Sequence, residues 1–401
     1  MERAESHIYR NACLLGTRWG RELDAMKTYT PEQVVKLAKR ANNPKRSYLL
    51  VNPLQAKHMP IRPGAALEMM SSLGERIARC WPEAKLVIGF AETATAIGAA
   101  VAVCLGTDCV YLHTTREPLP GGYLPFQEEH SHAVEQRLYG DRLADWIEAS
   151  PQIILVDDEI STGKTMRNIV HQMRARYPQM AGRGLVAASI INRLSAEDRA
   201  RLQNAGIESE CLVWLPNEDL TGQVARYQIE EAASEAQRLD GVPCDTLRMA
   251  RTFGDPRRGV PAGSYREECR RLCGGIAECI AQEMPAGQTV LVLGTEECMY
   301  PALLLGHALE ALSFPVCCHA TTRSPIGICP DADYPIQNGY RLRSFYDAGR
   351  KTFLYNLRKY QNVILVTDSA VEHCEAAADL ARILKQHGCS RLWVVEGGKC
   401  V

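Results

Sequence analysis

The segment IILVDDEISTGKT, residues 153–165, places Asp157 and Asp158, followed by Glu159, at the end of a strongly apolar run. A short turn of Ser161, Thr162 and Gly163 comes next, and Lys164 and Thr165 open the helix-like stretch MRNIVHQMRARY. Successive backbone N–H groups in such a turn, together with the unsatisfied donors and dipole of the helix N-terminus, suit a phosphate dianion. Gly163 permits a close backbone approach. The hydroxyls of Ser161, Thr162 and Thr165 add donors, whereas two carboxylates repel phosphate and accept hydrogen bonds from the 2′ and 3′ hydroxyls of a ribose. The pattern describes a cradle for a phosphorylated sugar.

Two other readings compete. A Walker P-loop contains Gly-Lys-Thr but needs a glycine five residues before the first of these, and Asp158 stands there. A structural cap on a strand-to-helix turn is the other, since acidic residues commonly precede helices. Neither accounts for both acids together with the Thr-Gly-Lys-Thr turn.

The elements that must position these residues are legible as apolar runs, each followed by a helical pattern. KLVIGF precedes TATAIGAAVAV, QIILVDD precedes the Gly-Lys-Thr helix, and LVAASIIN precedes SAEDRARLQNAG. Continuous Val/Ile/Leu runs suit strands covered on both faces, so a doubly wound parallel α/β sheet is expected. Ligands of such sheets sit beyond the carboxyl ends of the strands. After Trp214 the signal gives way to EEAASEAQRL, read as helical, and RTFGDPRRGVPAG, read as a linker or exposed loop. The expected division is a first domain over 1–240 and a second α/β domain over 255–401, with QTVLVLG, FPVCCHATT, YQNVILVTD and RLWVVEGG as its strands and a helix from about Val371 to His387.

The chain has 401 residues with 46% apolar side chains, and its 46 basic and 47 acidic residues nearly cancel. Nothing in that balance favours nucleic acid or an anionic membrane, and small-molecule chemistry is the better expectation. No apolar run approaches the ~20 residues of a membrane span. The charged start MERAESHIYR lacks a signal-peptide core, so the 16 scattered cysteines are read as reduced thiols in a cytoplasmic protein rather than disulfides or zinc ligands.

The halves correspond internally. LVIGFAETAT at 86–95 matches VLVLGTEECM at 290–299, HTTREPL at 113–119 matches ATTRSPI at 320–326, and IILVDDEI at 153–160 matches VILVTDSA at 363–370. Duplication with divergence predicts a second sheet of the same strand order. The second copy lacks the acidic pair and the Gly-Lys-Thr turn. Its candidate site is Glu296, Thr321, Thr322, Arg323, Ser324 and Asp368, with Arg323 offered as a bidentate anion contact.

ILVDDEISTGKT resembles the PRPP-binding signature of type I phosphoribosyltransferases, where PRPP is 5-phosphoribosyl-1-pyrophosphate. The DDExSTG form, VNPLQAKHMP at 51–60, EEHSHA at 128–133 and ATTRSPI together resemble a bacterial group in which an orotate-phosphoribosyltransferase-like domain is fused to a C-terminal TRSP domain, in tellurite-resistance-type stress gene clusters. The resemblance covers nearly the whole chain and implies two Rossmann-like parallel-sheet domains, the first of type I phosphoribosyltransferase fold and the second diverged. It implies transfer of the phosphoribosyl group to a nitrogenous base with release of pyrophosphate and with Mg²⁺ as cofactor, held mainly by PRPP oxygens near Asp157 and Asp158. Glu92 and Thr93, in the loop 91–95, would meet the pyrophosphate, flanked by Thr115 and Arg116; Lys57 and His58 fall where orotate-type enzymes turn a basic residue toward PRPP.

The connection from Glu117 to about Ser150 is long enough for a catalytic lid. It holds Glu128, His130, His132 and Arg137 but lacks the lysine usual in orotate-type lids. The expected catalytic set is therefore Asp157, Asp158, Glu159, Arg116, His130 and His132. Expected partners are PRPP, a base and other proteins of the gene cluster, with a homodimer as an allowed assembly. The rival functional class is a PRPP- or nucleotide-sensing regulator without turnover, and an enzyme running toward pyrophosphate consumption is a third reading.

Overall fold

The computed structural model describes residues 27–41, 47–118, 120–126, 136–234, 243–248, 253–369 and 375–397. These fall into two compact units: one formed from 27–31, 70–218 and 256–264, the other from 32–69, 219–255 and 265–397. The division interleaves the chain and so differs from a single cut between 240 and 255. No helix of the described residues is long and apolar enough to cross a membrane.

The first unit is built on strands β1 (Ala84–Gly89), β2 (Val110–His113), β5 (Gln152–Ile160), β6 (Gly184–Asn192) and β7 (Ile207–Trp214), all parallel in the order β2-β1-β5-β6-β7. Between β2 and β5 the chain makes an antiparallel hairpin of β3 (Tyr123–Phe126) and β4 (Gln136–Tyr139). Leu86, Val87, Ile88, Ile153, Ile154, Leu155 and Val156 are all buried, because helices cover both faces. After β1 comes α1 (Thr95–Leu105) and before β5 comes α2 (Leu143–Ala149). Helix α3 (Lys164–Arg176) follows β5 and buries Met166, Ile169, Val170 and Met173, a spacing of three and four residues that makes one apolar stripe. Helix α4 (Ala196–Asn204) starts at Ser195, whose hydroxyl accepts a hydrogen bond from the Asp198 N–H at 3.0 Å.

In the second unit β8 (Cys244–Arg248), β9 (Val290–Gly294), β10 (Val316–Ala320), β13 (Asn362–Thr367) and β14 (Arg391–Glu396) form a parallel sheet in the order β10-β9-β13-β14-β8. The hairpin β11 (Gly339–Arg343) and β12 (Lys351–Tyr355) lies between β10 and β13 in sequence. Helix α5 (Tyr300–Ala311) follows β9. Helix α6 (Glu375–Gln386) precedes β14 and buries Ala376, Asp379, Leu380, Ile383 and Leu384 along one face.

Four strands of each sheet therefore share one order, second-first-third-fourth, with the hairpin in the same place. The correspondence reaches single hydrogen bonds. Phe90 donates its N–H to the Val156 carbonyl as Thr295 does to Val366, and Thr114 donates to Gly89 as Thr321 does to Gly294. Thr115 bridges Arg137 of β4, and Thr322 bridges Phe353 of β12. These pairs set Gly89 on Gly294, one residue away from the register of the matched strings. The fifth strands differ: β7 follows β6 in the first sheet, whereas β8 comes from chain that precedes β9 in the second.

Two local readings change. The stretch expected to be helical contains a two-residue strand, Ala233–Ser234, parallel to β11, because pairing with a sheet edge overrides helix propensity. The expected exposed loop instead buries Pro256, Arg257 and Val260, and Val260–Pro261 pairs antiparallel with the outer edge of β2.

Glycine at the end of the first strand is demanded twice by close approach. A Cβ on Gly89 would lie 3.1 Å from the Ala94 carbonyl oxygen, and one on Gly294 would lie 2.6 Å from that of Cys298. Gly294→Ala should therefore cost about 1–3 kcal/mol through forced backbone shifts. Gly274→Ala, in the helix Ala262–Glu283 where an added methyl meets nothing within 4 Å, should stabilise by roughly 0.4–1 kcal/mol. Urea denaturation midpoints of the two variants test this opposition; equal shifts would contradict it.

Candidate functional site

The order β2-β1-β5-β6 places a topological switch between β1 and β5, where the connections leave for opposite neighbours and where ligands of such sheets generally bind. The loop 91–95 leaves β1 at this point. Asp157 and Asp158 follow the buried run 153–156 of β5 and are half-buried themselves. Thr93 donates its hydroxyl to Asp158 at 2.9 Å, and the Asp158 N–H donates to the Asp157 carboxylate at 2.9 Å. The loop after the first strand and the acidic pair thus meet directly.

Burial pushes the Asp158 carboxyl above its ordinary value of 3.8, and the neighbouring Glu159 carboxylate adds to the rise. Hydrogen bonds with Asp157, Thr93 and the Glu159 backbone act in the opposite direction. Glu159 itself pairs with Arg193 at 3.4 Å, and Arg193 donates to the Glu218 carbonyl at 2.7 Å. That contact ties the Glu159 carboxylate to the Arg193 guanidinium beyond the end of β6.

Ser161, Thr162 and Gly163 form the turn, with Thr165 half-buried in the first turn of α3 and Lys164 exposed. Gly163 has φ of +67°, in the left-handed region, and a Cβ there would lie 2.7 Å from Leu202. No side chain caps the helix at Gly163. The Thr162 hydroxyl accepts from the Lys164 N–H at 3.3 Å, which folds the turn inward.

Across from it, Thr114 and Gln136 fix the loop after β1. The Ala91 N–H donates to the Thr114 hydroxyl at 2.9 Å, Thr114 donates to the Gln136 amide oxygen, and the Gln136 amide donates back to the Ala91 carbonyl at 2.9 Å. Thr115 is buried, exchanges backbone hydrogen bonds with Arg137, and accepts from the Glu117 N–H at 3.0 Å. Arg116 is half-buried on this corner, and Glu92 is buried in the loop. Gln136 lies in no motif, and only the fold brings it to Thr114 and Ala91.

Lys57 and His58 do not join this set. They belong to the second unit, where Lys57 is buried and donates to the carbonyls of Glu296 at 2.8 Å and Thr321 at 3.0 Å. His58 is buried beside it. The ammonium ties together the loops after β9 and β10 instead of facing a substrate. Glu128, His130 and His132 lie outside the described residues.

The second unit gathers its expected residues at its own switch point, but around carboxylates. Arg323 donates to Glu296 at 2.6 Å and Glu297 at 3.1 Å, and Arg350 donates to Glu296 at 3.2 Å. Ser344 donates to the same Glu296 carboxylate. Thr321 accepts from the Glu296 N–H at 3.0 Å, Ser324 donates its N–H to Thr322 at 3.2 Å, and Asp368 accepts from the Tyr346 hydroxyl. Arg323 is therefore held by acids of its own unit and is not the outward-facing bidentate corner anticipated.

Residues 34–215 match the family described as phosphoribosyl transferase (PRTase_2), and residues 258–384 match the TRSP domain found C-terminal to it. No curated protein matches the chain. Similar solved structures include adenine phosphoribosyltransferases from Trypanosoma brucei (18% identity over 46% of this chain and 77% of that one, TM-score 0.33) and Saccharomyces cerevisiae (15%, 45% and 96%, TM-score 0.33). Another is that of Giardia lamblia (14%, 46% and 95%, TM-score 0.33). In sequence order the chain therefore carries a phosphoribosyl transferase (PRTase_2) domain followed by a TRSP domain, with a parallel α/β sheet in each unit.

Proposed function

We propose that the first unit moves the 5-phosphoribosyl group from PRPP to a ring nitrogen of a nitrogenous base and releases pyrophosphate. The observation that carries this reading is the meeting of the acidic pair with the loop after β1, through Thr93 and Asp158 at 2.9 Å, at the switch point of the sheet. The turn 161–165 takes the 5′-phosphate on its hydroxyls and the N-terminus of α3. Asp157 and Asp158 accept the ribose 2′ and 3′ hydroxyls. Loop 91–95 and Arg116 receive the pyrophosphate. The anomeric C–O bond breaks as the C–N bond forms, and the electron pair leaves with pyrophosphate. Little covalent work falls to the chain; it aligns the sugar and opposes charge with charge.

The donor set fits Mg²⁺ in a supporting role. Asp157 and Asp158 offer the hard oxygens this ion prefers, but among the described residues no three His, Cys, Asp or Glu side chains gather as a metal cage. Bound mainly to substrate oxygens beside the acidic pair, the ion would neutralise the departing pyrophosphate.

PRPP with Mg²⁺ should raise the melting temperature of the full chain, since a ligand at 100 times its dissociation constant adds about 2.7 kcal/mol to the folded state. ATP should do far less; protection by ATP with indifference to PRPP would overturn the reading. Asp157→Asn should weaken PRPP binding about ten- to hundredfold in calorimetric titration, the loss of a charge-assisted hydrogen bond of roughly 1.5–3 kcal/mol. Turnover is read as pyrophosphate released across a panel of bases. Tight PRPP binding without any release would favour the sensor.

Asp158 carries a pH signature as well. Its folded value is raised, so the folded state holds the proton more tightly, and stability falls as pH climbs from the ordinary carboxylate value through the raised one. Asp158→Asn should remove that decline, leaving a chain at least as stable as the parent at pH 7 while losing PRPP affinity. Melting temperatures from pH 3 to 8 test it: a variant that melts below the parent at pH 7 would show Asp158 to be a structural cap.

A further inference from the structure

The hydrogen-bond register that superposes the two units also pairs their site residues. Ala91 stands where the second unit has Glu296, for each donates its N–H to the first threonine of the Thr-Thr-Arg triplet, at 2.9 Å and 3.0 Å. Arg116 stands where the second unit has Arg323. Asp157 and Asp158 stand where it has Thr367 and Asp368, since Val156 and Val366 occupy the same place on β5 and β13. The position that carries only a methyl group in the first unit carries a carboxylate in the second.

That carboxylate is fully buried and densely bound. Arg323 Nε, at 2.6 Å, and Arg350 Nη1, at 3.2 Å, reach Glu296 Oε2, and the Ser344 hydroxyl reaches Oε1. Two guanidiniums and a hydroxyl converging on two oxygens is the donor set of an oxyanion site. Lys57 holds the same corner from behind by donating to the Glu296 and Thr321 carbonyls. A buried carboxylate is tolerated only with such partners, and Arg323 is held by Glu297 at 3.1 Å as well.

We propose that Arg323, Arg350 and Ser344 form an oxyanion site of phosphate class in the second unit, and that the Glu296 carboxylate occupies it as a built-in anion. The first unit, with Ala91, leaves the corresponding place to the anionic part of a substrate. The second unit fills it from its own chain and so binds no phosphorylated ligand there. The choice of phosphate rests on the reading of loop 91–95 as a pyrophosphate contact; the occupancy by Glu296 does not.

Removing the carboxylate should open the site. Glu296→Ala in the full chain is titrated with inorganic phosphate by calorimetry beside the parent. One additional equivalent of phosphate should bind, and it should disappear in the double variant Glu296→Ala with Arg323→Gln. Glu296→Gln, which keeps the space filled, should gain none. A folded Glu296→Ala chain with the parent's phosphate stoichiometry overturns the proposal. If that variant does not fold in plain buffer, refolding with and without phosphate decides: recovery specific to phosphate supports the site, and no recovery overturns it. A parallel titration of the parent with PRPP and Mg²⁺ separates the two readings. One equivalent agrees with both, none removes the proposed function while leaving the Glu296 test standing, and two equivalents remove the self-occupied site.

Discussion

The meeting of two strand ends, β1 and β5, governs what the first unit can bind. Neighbouring parallel strands normally send their chains the same way, but here β1 leaves for β2 on one side and β5 leaves for β6 on the other. Right-handed crossovers then carry α1 and α3 to opposite faces of the sheet. The loops after β1 and β5 flank this switch point, where ligands of such sheets generally bind. The residues proposed for PRPP depend on that divergence: the acidic pair because β5 stays extended to its end, the hydroxyl turn because Gly163 reverses the chain, and Thr93 because it donates to Asp158.

The second unit shows that this skeleton does not depend on its chemistry. Its four shared strands keep their order, and the glycine at the end of the first strand and the threonine that receives the next loop's N–H both persist. What changes is how buried polarity is neutralised. In the first unit adjacent carboxylates lie together, with Asp158 pushed toward protonation chiefly by burial. In the second, carboxylates and guanidiniums answer one another within the chain.

Much of this could be read from residue order, and the reasons are local. Val/Ile/Leu runs announce buried parallel strands whatever surrounds them, and a paired acid before a Thr-Gly turn is a contiguous signature. The misread parts depend on partners distant in sequence. Lys57 was placed toward PRPP by the resemblance to orotate-type enzymes, yet its ammonium donates to carbonyls more than 230 positions away. Arg323 looked like an open donor because Glu296 is 27 residues upstream. Gln136 carried no signal at all. The segment around Val260 looked exposed because prolines and arginines are usually loop residues, but an unpaired edge of β2 was waiting for it.

The interleaving of the chain has a genetic corollary. Residues 32–69 precede the phosphoribosyl sheet yet count with the second unit, and 256–264 follow it yet count with the first. The phosphoribosyl transferase match itself begins at residue 34, inside the segment that supplies Lys57 to the TRSP half. A recombination event that moved either half alone would carry away part of the other and leave carbonyls of the loops after β9 and β10 without their ammonium. A cut of the chain between the two matched segments would thus divide a compact unit rather than separate two.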